Sequence, residues 1–126
     1  MARSLAAIAF SVPDYDDAVA WFRDALGFEL IEDTPLGDGK RWVVVAAGRE
    51  AGARLVLQKS RGEPRERARV GYFLETDDFD RDHGAYLERG VRFLERPRRE
   101  SYGVVAVFAD PWGGKWDLIQ PARAAP

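Results

Sequence analysis

Apolar positions follow two rhythms along this chain, and the rhythms change in the same order twice. A short apolar run from Leu5 to Val12 reads as a β-strand. Tyr15, Val19, Phe22 and Leu26 then fall at spacings of four, three and four, one stripe of a helix. Asp14 stands as its N-cap, Asp17 sits where a capping box takes its acid, and Gly27 offers the left-handed residue that closes it. Extended segments are predicted at 28–32, 41–47 and 54–58, with turn chemistry at Gly37-Asp38-Gly39. The second pass begins with the apolar run from Val70 to Thr76. Phe79, His83, Tyr86 and Leu87 form its helical stripe, ended by Gly90. Extended segments follow at 92–95, 102–109 and 115–120, the last two separated by the turn Asp110-Pro111-Trp112-Gly113-Gly114.

The two passes are related by an offset of 64, which carries Pro13-Asp14-Tyr15-Asp16 onto Asp77-Asp78-Phe79-Asp80. Eight strands and two main helices are therefore predicted, as strand–helix–strand–strand–strand repeated. The fold class is α+β: two tandem βαβββ modules in a single domain spanning 1–126. Module one covers about 4–58, a linker about 59–69 and module two about 70–121. Superposed, the modules should bring Asp14 near Asp78 and Ala7 near Gly71. The linker carries five basic and two acidic residues beside Gly62 and Pro64, as solvated connections do. The cluster Arg96-Pro97-Arg98-Arg99-Glu100 reads likewise as a solvated turn.

Composition narrows the chemistry. At 126 residues and 14.2 kDa, with 46% hydrophobic residues, the chain has the material for one core and is too apolar for disorder. Its charge of −2 and pI near 5.5 leave no whole-chain basic footprint for nucleic acid. Zero cysteines exclude thiolate metal sites, disulfides and cysteine nucleophiles, and one histidine, His83, excludes any site built on two. His83 lies on the apolar stripe of the second helix and reads as a partly buried helix histidine. The longest uncharged stretch, from Ser4 to Pro13, is about half a membrane span. No membrane partner is expected, and a cytoplasmic location is.

Val12-Pro13-Asp14 leading to Trp21-Phe22-Arg23-Asp24-Ala25-Leu26-Gly27-Phe28, and Asp110-Pro111-Trp112-Gly113-Gly114-Lys115-Trp116-Asp117-Leu118, are the most specific stretches. They resemble the motifs "V-x-D…F-Y-x-x-x-L-G-F" and "D-P-x-G-N-x-x-E-L" of the glyoxalase / bleomycin-resistance / extradiol dioxygenase (vicinal oxygen chelate) superfamily. With the tandem modules, the resemblance runs from Leu5 to Gln120. It implies curved mixed sheets that form a cup-shaped cavity, and a homodimer of paired chains or swapped modules. Metal-dependent members carry His or Gln on the first strand of a module and Glu on the last. Those positions here are Ala7, Gly71, Val56 (or Leu55, if Gln58 is aligned with Gln120) and Asp117. One carboxylate is too few for a transition metal, so no metal and no cofactor is expected.

Strand alternation sets Ala7, Ala9 and Ser11 toward the cup while Ile8, Phe10 and Val12 pack on the helix. It likewise turns Gly71, Phe73 and Glu75 inward, together with Lys115, Asp117 and Ile119. The candidate ligand-binding residues are Ser11, Arg41, Trp42, Phe73, Glu75, Tyr102 and Asp117, and no catalytic residue is assigned. Buried carboxylates would hold a cationic or hydrogen-bonding ligand and gain pKa values suited to acid–base work. The first reading is a protein that binds a small molecule in the sheet cavity without a metal. The alternatives are a metal-dependent lyase or dioxygenase of the same superfamily, and a metal-independent isomerase-type enzyme using Glu75 and Asp117. The residues do not decide between binding and catalysis.

Overall fold

The computed structural model describes residues 2–50, 52–60 and 67–122. It divides into two compact units, Met1–Glu63 and Pro64–Pro126, each considered by itself below. The division falls in the stretch read as a linker, of which residues 61–66 lie outside the described set.

The first unit contains β1 (Ile8–Val12), α1 (Tyr15–Asp24), β2 (Glu29–Gly37), β3 (Lys40–Ala46) and β4 (Arg54–Lys59). Its sheet has the order β1-β4-β3-β2, with β1 parallel to β4 and the other pairs antiparallel. Asp14 caps α1 as expected, its carboxylate accepting the Asp17 N–H at 2.9 Å; Asp17 contributes that backbone donor rather than its acid. The predicted stripe of Tyr15, Val19, Phe22 and Leu26 is buried, with Phe22 edge-on to Phe10 at 5.4 Å. Gly27 takes φ +73°, where a Cβ is strained, and the chain turns back as Phe28 N–H donates to the Phe22 carbonyl.

Strand β2 runs five residues past its predicted end at Glu32, through Pro35 to Gly37. It is the sheet's edge strand and pairs with β3 alone, so the missing N–H of Pro35 interrupts no second ladder. The hairpin to β3 turns on Asp38 and Gly39, both at positive φ, as a two-residue turn with the twist of the strands requires.

The second unit contains β5 (Val70–Glu75), α2 (Phe79–Glu88), β6 (Arg92–Phe93), β7 (Arg98–Glu100), β8 (Gly103–Ala109) and β9 (Lys115–Pro121). Its sheet has the order β5-β9-β8-β6, with β7 also on β8. The described residues thus form two helices and nine strands in two mixed sheets, neither closed, where eight strands were expected. The reason is local. The strand predicted over 92–95 stops at Phe93, and Pro97 has no N–H with which to continue a ladder. Arg98–Glu100, expected as solvated turn, then resumes the pairing with β8.

The pairing registers superimpose the units: Phe10 opposite Leu57 in β1/β4 matches Leu74 opposite Leu118 in β5/β9. Asp14 and Asp78 occupy the same N-cap, both at φ −146°, and Val56 becomes the counterpart of Asp117. Two packing expectations fail. Ile8, at the start of β1 beside an exposed N-terminal segment, is 46% exposed. Leu87 is exposed because it sits about 100° around the helix from buried Tyr86. His83 is half-buried, stacked on Phe79 at 5.2 Å and edge-on to Phe93 at 4.5 Å.

Asp110 anchors the β8–β9 turn. It is buried and accepts N–H bonds from Trp112 and Gly114 and from the Trp116 indole. A Cβ on Gly114 would collide with that carboxylate, so only glycine fits there.

Candidate functional site

In the second sheet, Trp116 and Leu118 are buried on the side that carries α2, so the intervening Asp117 turns to the helix-free face. Phe73 on β5 and Val107 on β8 stand directly opposite it on either side. Phe73 is 69% exposed, an apolar ring left uncovered in the strand centre. The three form a row of apolar ring, carboxyl and valine across the sheet.

Glu95 joins this row because of the strand break. Where β6 ends, its carboxylate replaces the missing backbone acceptor and takes the Val107 N–H at 2.9 Å. Its other oxygen accepts from Arg98 Nε at 2.9 Å, and Arg98 also donates to Glu100 at 2.9 Å. Glu95 is thereby fully engaged, and Asp117 is not. Asp117 Oδ1 is buried and has no hydrogen-bond partner, an uncommon condition for a carboxylate. Burial raises the Asp117 pKa above the usual carboxylate range; Arg98 opposes this and the negative charge of Glu95 adds to it.

Trp42 lies on the helix-free face of the first sheet and is 42% exposed. Ser11 is exposed on that face of β1, opposite Gln58. Arg41, next to Trp42, turns to the other side: it lies 5.2 Å over the Tyr15 ring and bonds Asp16 at 2.9 Å and Asp33 at 2.6 Å. These carboxylates raise the Arg41 pKa, and the Arg41 guanidinium in turn holds Asp33 below the usual carboxylate range. Glu75 lines a separate cleft of about 240 Å³ with Asp77 and Gln120. Tyr102, half exposed in the turn before β8, supports Arg98 through its hydroxyl. Phe73 and Asp117 are therefore adjacent within the second unit, and Arg41 in the first is held by its own ion pairs. Glu95 and Arg98 were missed as site residues; the signal available was Pro97, which marks where a strand must break.

The matching family model is the Glyoxalase/Bleomycin resistance protein/Dioxygenase superfamily, over residues 4–118, and the chain belongs to that superfamily. A protein of Shewanella frigidimarina (strain NCIMB 400), described as uncharacterized, is 40% identical over 95% of both chains. The crystal structure of TnmS3, an antibiotic binding protein from Streptomyces sp. CB03234, matches with TM-score 0.75 and 36% identity, covering 97% of this chain and 99% of that one. The fosfomycin resistance protein FosX from Listeria monocytogenes shares the fold at TM-score 0.74 and 16% identity, over 97% and 96% of the two chains.

Some members of this superfamily use a metal, and the donor set here does not fit one. Pairing register selects Val56, rather than Leu55, as the counterpart of Asp117, and Ala7 and Gly71 bring no donor atom. Among the described residues no three His, Cys, Asp or Glu side chains converge as a metal site would need. No described helix is long and apolar enough to cross a membrane.

Proposed function

We propose that the chain binds a small molecule without a metal, on the helix-free face of its second sheet, with Phe73 as the apolar platform and Asp117 as the polar anchor. The observation that carries this reading is the Asp117 Oδ1 atom, which is buried without a partner. A carboxyl in that state costs stability, and the cost is offset when a ligand donor completes its hydrogen bonding. The exposed Phe73 ring beside it adds a surface for an aromatic or cationic group. The ligand class best suited is an amphipathic compound with a protonated amine or a similar donor. The 36% identity with an antibiotic binding protein supports the same class. We further read the working form as a cytoplasmic homodimer, since membership of the superfamily implies paired chains or swapped modules.

The test is thermal-shift screening in the presence of EDTA with metal-free bleomycin and a panel of aromatic, amine-bearing antibiotics, followed by calorimetric titration of the hits. The expected result is a ligand whose binding survives EDTA and weakens at least about tenfold in Asp117→Asn, the loss of one charge-assisted bond. Stoichiometric zinc or ferrous iron held at micromolar affinity, and lost in Asp117→Ala, would contradict the metal-free reading and favour the lyase or dioxygenase alternative. Light scattering should give twice the mass of one chain.

A further inference from the structure

The first unit contains a cleft of about 640 Å³, formed where its sheet comes apart. The β3–β4 ladder runs from Ala46 opposite Arg54 to Val43 opposite Leu57 and stops there. Both strands continue, each with its outer neighbour. Lys40, Arg41 and Trp42 stay paired with Gly37, Pro35 and Thr34 of β2, while Gln58 and Lys59 stay paired with Ser11 and Val12 of β1. The sheet splits into two two-stranded ribbons, and the cleft occupies the fork. Val56 and Leu57 lie at its apex. Trp42 and Leu36, which is 61% exposed, supply apolar wall.

The charges of this cleft are not balanced. Arg41 is taken up by Asp16 and Asp33. Lys40 and Lys59 also line the cleft, and neither is in any ion pair or side-chain hydrogen bond among the described residues. Asp38, on the hairpin turn, is the lining carboxylate against these two ammonium groups. The contrast with the second unit is informative. Gln120 stands where the first unit has Lys59, and its side chain accepts the Phe79 N–H at the start of α2. A lysine can make no such bond with a backbone donor, so at this position the first unit exchanges a structural tie for an uncommitted cation.

We propose that the fork cleft binds an aromatic monoanion, a carboxylate or sulfonate on one or two fused rings, with the ring against Trp42 and Leu36 and the acid group on Lys40 and Lys59. The volume lies in the range of small-molecule sites. A flat ring matches the exposed indole, and a single negative charge matches the excess of ammonium over carboxylate. This cleft is built from first-unit residues alone and calls for a ligand charge opposite to that of the Phe73–Asp117 row in the second unit, so the two readings stand or fall independently.

The experiment titrates 2-naphthoate, its neutral amide and 2-naphthylmethylammonium into the ¹⁵N-labelled full chain and follows the backbone and indole NMR signals. The expected result is saturable binding of naphthoate, with shifts concentrated at residues 34–42 and 56–60. The amide should bind about tenfold more weakly, as should naphthoate to the Lys40→Gln, Lys59→Gln double variant. Both substitutions are on exposed side chains, and the wild-type comparison of acid with amide needs no variant at all. Equal binding of acid and amide, preference for the ammonium compound, no saturation by 10 mM (roughly the weak end of specific binding), or shifts centred on Phe73 and Asp117 would each overturn the proposal.

Discussion

In the first unit the edge strand β2 continues past Pro35 with only a register shift before Gly37, whereas the strand in the same place in the second unit is cut at Arg96-Pro97 into β6 and β7. The next ladder inward behaves in the opposite way. β8 and β9 pair along their whole length, from Gly103 opposite Pro121 to Ala109 opposite Lys115, while β3 and β4 part after Val43. Each unit therefore keeps one intact ladder and opens the other. Charge gathers where a ladder is open: Lys40 and Lys59 in the first unit, Glu95 beside Asp117 in the second. An open ladder leaves backbone groups for side chains to serve and leaves room for a ligand. One βαβββ plan thus yields a cationic fork in one unit and an acidic row in the other.

The largest effect should come from the turn that locks the β8–β9 ladder. Gly114→Ala drives a Cβ into the Asp110 carboxylate and disturbs three of its bonds, at about 2 kcal/mol, or roughly 8 °C in Tm. Gly39→Ala in the first unit's hairpin meets open space and carries only the cost of its φ of +77°, about 1 kcal/mol. Equal losses by calorimetry would erase the contrast between the two ladders. Next, Glu95→Ala removes the acceptor of the Val107 N–H and one partner of Arg98, at about 1–2 kcal/mol. Amide exchange should then quicken at Val107 before anywhere in β3 or β4.

The smallest effect has the opposite sign. Asp117 has a folded-state pKa above its ordinary 3.8, so ionising it costs the folded state. That cost is absent below the unfolded value and grows as pH rises through the window up to the folded value. Asp117→Asn should therefore raise Tm at pH 7, on the order of 2 °C, and the gain should fade toward pH 3. Its counterpart Val56 carries no charge, so Val56→Ala should lose stability equally at both pH values. A pH-dependent loss at Val56, or a destabilised Asp117→Asn at pH 7, would break the comparison.

Much of the fold was legible because helices announce both ends. Asp14 and Gly27, and Asp78 and Gly90, delimit the two helices with capping chemistry that needs no tertiary contact. Alternation also turned Phe73 and Asp117 to one face, since Trp116 and Leu118 on either side of Asp117 are strongly apolar and buried. Edge strands were harder. Pro35 and Pro97 look alike in sequence, yet β2 absorbs one and the other ends β6, because Glu95 can replace a lost backbone acceptor. The role of Arg41 was hidden for a similar reason. Asp16 and Asp33, 25 and 8 residues away, meet it only once β2, β3 and α1 have packed. The fork cleft was illegible altogether, since it depends on where a ladder stops.

The most direct test of the account is a pH titration of the Asp117 carboxyl by ¹³C NMR in the ligand-free protein, repeated in Glu95→Gln. The expected midpoint lies above the ordinary aspartate value of 3.8 and falls when the Glu95 charge is removed. A midpoint at or below that value, unmoved in Glu95→Gln, would mean that the carboxyl is already satisfied within the protein and is not held open for a ligand.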